Sequence, residues 1–176
     1  MSEAITRRCP GRIDEEWKRR RSEFPDAPMP GPETFAVLGE ARIRRIVDRQ
    51  HRELWAGPAG RLFGPDEAGL ERAIAHTADY FVEMFGGPAG YTPVRGRPML
   101  RVRHRSFGVT SDDRWLWLRA LARAMAAESV PSATATAIWA WVEPLSMRMI
   151  DPLPAPETLA RPSLVDMGFV YEETQP

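Results

Sequence analysis

The sequence predicts an all-α fold, and three observations carry that prediction. Apolar residues recur at three- and four-residue spacing along several long stretches, which is the period of one helix face. Glycine and proline clusters cut these stretches off, where hairpin strands would be joined by two-residue turns. No segment alternates apolar and polar residues for long enough to make a strand. The 176 residues, 43% hydrophobic and 27% charged, have the balance of a globular chain of about one domain.

The elements follow in order. Residues 1–32 read as a polar extension that ends in the breakers Pro25, Pro28, Pro30, Gly31 and Pro32. Within it, Ile13 to Phe24 has the pattern of a short charged helix with Trp17 on one side. From Glu40 to Trp55, Ile43, Ile46, Val47 and Leu54 make a helical stripe, stopped by residues 56–60. A turn carries Leu62 and Phe63, and Gly64-Pro65-Asp66 opens a second helix striped by Leu70, Ile74, Thr77, Ala78, Phe81, Val82 and Phe85. Gly86-Gly87-Pro88 ends it. The run Met99 to His104 has room for about two helical turns. Thr110 with Asp113 forms a capping pair for a helix from Asp112 to Glu128. A last helix begins near Pro131 and carries Ile138, Trp141, Val142, Leu145 and Met149, with Pro144 expected to kink it. The domain therefore spans 33–150, followed by a proline-rich tail, 151–176, whose apolar piece Leu164 to Tyr171 is expected to pack back.

Composition excludes several functions. The 24 basic and 24 acidic residues cancel, so the positive footprint of a nucleic-acid binder is missing. No polybasic stretch suits an anionic membrane, and no apolar run approaches the ~20 residues of a span. The N-terminus has charge but no hydrophobic segment behind it, unlike a secretory signal. A single cysteine, Cys9, cannot form an intrachain disulfide and suits a reducing compartment. The expected location is the cytoplasm.

Chemistry-bearing residues are few. His51, His76 and His104 are the only imidazoles, and their spacing matches no zinc signature. No nucleophile is marked by spacing, and no glycine loop leads into a Lys-Ser/Thr pair. On pattern alone, His104 reads as a surface histidine or one bonded internally.

The string Phe85-Gly86-Gly87-Pro88-Ala89-Gly90-Tyr91, then Arg95-Gly96-Arg97-Pro98-Met99-Leu100-Arg101-Val102-Arg103-His104-Arg105-Ser106-Phe107, with Trp117 thirteen residues after His104, carries more. It resembles the truncated haemoglobins of bacteria, in particular their second group, from about Phe35 to Ile150. That resemblance implies a truncated globin fold, a two-over-two helical sandwich around haem b. It implies His104 as the proximal iron ligand, Trp117 over the distal face as an N–H donor, and Phe63 and Phe107 packed near the porphyrin. Thr77 and Phe81 would face the haem from the central helix. His76, Tyr91, Arg101 and Arg103 would meet its propionates.

The sequence departs from the family in the distal pocket. Where the family has a tyrosine on the first long helix, the alignment puts His51; a slip of one residue would put Gln50 there instead. Phe63 replaces a second tyrosine, and Arg97 stands in the family's Arg-Gly-His-Pro. The implied function is binding of O2, with NO and CO as further ligands. One alternative is an oxidative enzyme, peroxidase-like or NO dioxygenase-like, in which His51 and Trp117 act on peroxide or on the bound gas and a reductase supplies electrons. Another is a helical interaction module without haem. An unperturbed His51 would titrate near ~6.5.

Overall fold

The computed structural model describes residues 10–170, with side chains from residue 15 onward; Cys9 and Tyr171 lie outside the described residues. Seven helices are present there and no strand. α1 is Pro10–Arg20, α2 is Glu33–Trp55, α3 is Glu67–Met84, α4 is Thr92–Arg95, α5 is Leu100–His104, α6 is Ser111–Ala127 and α7 is Ser132–Met147. α2 packs against both α3 and α6, and α6 packs against α7. Their shared interior includes Ile43, Val47, Phe85, Leu118, Leu121, Met125 and Ile138, all almost fully buried. Each such side chain contributes about 1.5–3 kcal/mol through burial.

Local signals explain where the helices begin and end. α3 starts at Asp66, whose carboxylate accepts from the Gly69 N–H at 2.9 Å. It ends where Gly86 takes φ +92, with the Gly86 N–H bonded to Glu83 O and the Gly87 N–H to Val82 O. That pair of bonds is the Schellman closure, which a left-handed glycine makes without strain. α6 opens on the expected reciprocal cap between Thr110 and Asp113.

Several boundaries differ from the sequence reading. α2 begins at Glu33, because Gly39 at φ +67 lets the chain bend and enter a second helical run without stopping. The N-terminal helix runs Pro10–Arg20, and Arg21–Glu23 form a 3-10 turn. Pro144 falls in the last turn of α7, so the ladder bond it removes is lost where the helix is about to end.

Both flanking segments dock on the helices. Trp17, Phe24, Met147, Leu153 and Leu159 form a separate apolar cluster, and the Arg20 guanidinium donates to the carbonyls of Leu153 and Pro154. Leu164, Met167 and Phe169 join the main core, as expected for the tail.

Candidate functional site

A cavity of about 850 Å³ opens between α2, the 3-10 turn Pro58–Phe63, α3, α5, α6 and α7. This is the size of pocket that holds a cofactor. His51, Phe63, His76, Thr77, Phe81, Tyr91, Arg103, His104, Phe107 and Trp117 all reach its wall. Gln50 does not. It is wholly buried one residue away, where its Nε2–H donates to the Trp117 carbonyl at 3.2 Å.

Of the three histidines that line this space, His51 and His104 are anchored in the same way. The Nδ1–H of His104 donates to Leu100 O, four residues back, at 2.8 Å. The Nδ1–H of His51 donates to Val47 O, again four residues back, at 2.9 Å. A carbonyl can only accept, so the proton of each neutral ring sits on Nδ1 and the lone pair on Nε2. From there the two diverge. His51 Nε2 lies 3.2 Å from Thr77 Oγ1, which donates to it. His104 Nε2 has no hydrogen-bond partner among the described residues. Burial holds both rings below the ordinary imidazole pKa, and His51 is lowered to about 4. The value near 6.5 expected of an unperturbed His51 therefore does not apply, because the ring is only 4% exposed.

The remaining walls divide by polarity. Phe63 packs on the His51 ring, with centroids 5.4 Å apart, and Phe107 meets His104 edge-on at 5.9 Å. The indole N–H of Trp117 has no partner among the described residues, so this wall presents a donor.

At the rim stand Arg72, His76, Arg95 and Arg103. The three arginines have no carboxylate partner among the described residues, and Arg95 Nε is buried without any hydrogen bond. Burial lowers the His76 pKa first, and Arg95, Arg103 and Arg72 lower it further. The rim therefore holds cations waiting for an anion. Arg103 is partly committed, donating to Pro98 O and Arg95 O at 2.8 Å each. The arginines of the inner wall are balanced within the chain: Arg61 pairs with Asp113, and Arg114 with Glu143.

The resemblance implies Arg101 at the same rim, and the structure puts it elsewhere. Its guanidinium donates to Arg148 O and Ile150 O and faces Asp151, outside the cavity wall. On a helix of five residues, positions 101 and 103 face different directions, which the sequence string does not reveal. Arg72, Arg95 and Tyr80 also line the cavity and were not singled out from sequence. Arg95 lay inside the motif string; Arg72 follows α3 residues 73, 76 and 77 around the same face, a signal that helical spacing could have given.

The residues present fit a haem. A planar dicarboxylate with an iron at its centre needs an apolar slot, one unprotonated nitrogen and a cationic rim, and the orphaned Arg95 Nε and open His104 Nε2 supply what would otherwise be unexplained.

Comparison with known proteins agrees. Residues 33–151 match the family model described as bacterial-like globin. The chain is 28% identical over 91 residues to the group 2 truncated hemoglobin YjbI of Bacillus subtilis (strain 168), covering 52% of this chain and 67% of that protein. It is 37% identical over 88 residues to the group 2 truncated hemoglobin 3-1 of Lotus japonicus, covering 49% of this chain and only 48% of that one. Among solved structures it is similar to phosphate-bound Hell's gate globin IV, with TM-score 0.74, 30% identity and coverage of 82% and 90%. It is also similar to the group II 2-on-2 hemoglobin of Agrobacterium tumefaciens, with TM-score 0.61, 30% identity and coverage of 67% and 93%.

Proposed function

Because the chain belongs to the bacterial-like globin family, whose common activity is small-ligand binding at haem, we propose that it holds haem b through His104 and binds O2, with NO and CO as further ligands. The observation that carries the reading is the contrast between two histidines with identical Nδ1 anchors. Thr77 occupies Nε2 of His51, and Nε2 of His104, a residue that lines the cavity, has no hydrogen-bond partner among the described residues. A ring whose Nδ1–H is bonded to a carbonyl is oriented and made more basic at Nε2, the arrangement typical of a ligating histidine.

Held in this slot by His104, haem would supply an iron able to take a small ligand. The chain does the rest. Phe63, Phe81 and Phe107 line the cavity and would exclude water from a bound haem, while Arg72, Arg95 and Arg103 would meet its carboxylates. Trp117 would offer its N–H to a polarised ligand such as O2, a charge-assisted bond worth about 1.5–3 kcal/mol. Membership of the family and a slot of this size both weigh against a module without haem.

Peroxidase-like or NO dioxygenase-like turnover is less well supported. It would ask His51 for general acid–base work, and a ring with a pKa of about 4 is a weak base at neutral pH. Its Nε2 is also engaged by Thr77.

The test is His104→Ala. Parent protein given haem should show a Soret band and a ferrous spectrum typical of a proximal histidine. The variant should lose that ferrous spectrum and regain ligand binding when free imidazole is added. An unchanged spectrum in the variant would mean that iron is held by another residue.

A further inference from the structure

We infer that Thr77 is a positioning residue for the distal wall: its hydroxyl donates into Nε2 of His51 and so holds the imidazole as a hydrogen-bond-saturated, neutral group that turns no free lone pair toward a ligand in the cavity. The inference deepens the haem-binding reading above and rests on it for its ligand-side consequence.

The bonding follows from elimination. Val47 O takes the only proton of the neutral ring, at 2.9 Å from Nδ1. Burial keeps the ring neutral, so Nε2 carries a lone pair and cannot donate. Thr77 Oγ1 lies 3.2 Å from it and is the group that can give a proton to that bond. His51 comes from α2 and Thr77 from α3, two helices packed together, so the bond spans the interface that forms one wall of the cavity. Phe63 closes a further side of the ring at 5.4 Å between centroids.

The consequence is electrostatic. A bare imidazole lone pair beside a ligand bearing partial negative charge repels it, and in a site of low dielectric that repulsion is strong. With Thr77 donating, the lone pair is covered. Of His51 and Trp117, only Trp117 then has an N–H to offer a ligand, since the His51 N–H is committed to Val47. Thr77 thereby lets a polar side chain occupy the distal wall without opposing Trp117. It also keeps Nε2 occupied, so His51 stays out of competition with His104 for iron.

Thr77→Val removes the hydroxyl and keeps the branched shape; Thr77→Ser keeps the hydroxyl. In ¹⁵N-labelled haem-free protein, where the chain has only three histidines to assign, the parent and Thr77→Ser should show His51 as the Nδ1–H tautomer with Nε2 displaced from the position of an unbonded ring nitrogen. Thr77→Val should move Nε2 to the unbonded position. In haem-loaded carbon monoxide complexes, Thr77→Val should raise the C–O stretching frequency, as a newly bared lone pair does, and Thr77→Ser should leave it at the parent value. An unbonded Nε2 in the parent, or a Thr77→Val protein matching the parent in both readouts, overturns the inference. So does a Thr77→Ser protein that behaves like Thr77→Val. A parent that takes up no haem defeats the reading of the preceding subsection, and the nitrogen shifts then decide on Thr77 independently.

Discussion

Acid should reveal the burial of His51 as a loss of stability with a definite window. Desolvation is the main cause that lowers its pKa from 6.5 to about 4 in the folded chain, against smaller upward contributions from the Val47 carbonyl and Asp48. As pH falls, the unfolded chain takes up the proton first, so the folded state loses ground from about pH 6.5 downward. The loss stops growing near pH 4, where the folded ring protonates too. Above pH 6.5 the contribution is constant. At about 1.4 kcal/mol per pH unit, the full interval is worth about 3 kcal/mol, of which about 2 kcal/mol is gone by pH 5. Urea unfolding at pH 7.5 and pH 5.0 measures it directly. The parent should lose about 2 kcal/mol more between those conditions than His51→Leu, whatever the variant costs in absolute stability. His76 and His104, also lowered by burial, contribute equally to both proteins and cancel. Gln50→Leu, altering the neighbour that faces away from the cavity, should keep the parental difference. Equal losses in parent and His51→Leu would refute the buried, neutral imidazole. The same lowering requires ligand kinetics to be flat across pH 6.5, with any His51-dependent change displaced toward pH 4.

Trp117→Phe keeps an aromatic ring at the cavity wall and removes the N–H; O2 dissociation should accelerate at least about tenfold in stopped flow, with CO much less affected because it polarises less. Equal effects on the two gases would indicate a steric role. Arg95→Leu should speed haem loss to an excess acceptor globin by about tenfold or more, the loss of one charge-assisted bond; an unchanged rate would remove Arg95 from the carboxylate site. Glu143→Gln leaves the Arg114 guanidinium buried without its carboxylate, although Ser146 Oγ and Ala160 O still accept from it. Urea unfolding should show a loss of about 3 kcal/mol, and a loss below about 1 kcal/mol would mean that the remaining acceptors suffice.

Features written in adjacent residues were legible in the sequence. The Thr110–Asp113 cap, the Gly86-Gly87 stop and the stripe of α3 each depend on residues within a turn or two of one another. The resemblance string placed His104 and Trp117 on opposite sides of a loop, and the structure brings both to the same cavity. Features that depend on distant partners were not legible. The early start of α2 turns on a positive φ at Gly39, which a helical pattern alone treats as an interruption. The four-residue α4 is too short to show a period. The bond from Thr77 to His51 joins positions 26 apart in the chain, and neither residue announces it. Histidine at position 51 could be read as a distal group, but that both of its nitrogens are engaged within the chain could not.

The placement of Arg101 shows how the flanking segments bear on the site. A helix of five residues such as α5 cannot hold itself in water, since nucleation costs more than so few bonds return. Its position must come from contacts with other elements. Arg101 supplies them by donating to Arg148 O and Ile150 O, carbonyls just beyond the C-terminal end of α7, where a cation is favoured electrostatically. Asp151, the first residue of the tail, faces Arg101 at 3.4 Å and Arg105 at 3.8 Å, and its N–H donates to Val109 O. The ring of His104 is in turn oriented by Leu100 O of the same short helix. Arg148 reaches across to Pro25 O in the N-terminal segment, which also packs Phe24 and Trp17 against Met147. The chain of contacts runs from the N-terminal segment through the end of α7 and the start of the tail to the helix that carries His104. An arginine that the resemblance implies at a cofactor's edge thus acts elsewhere, fixing in place the helix on which His104 stands.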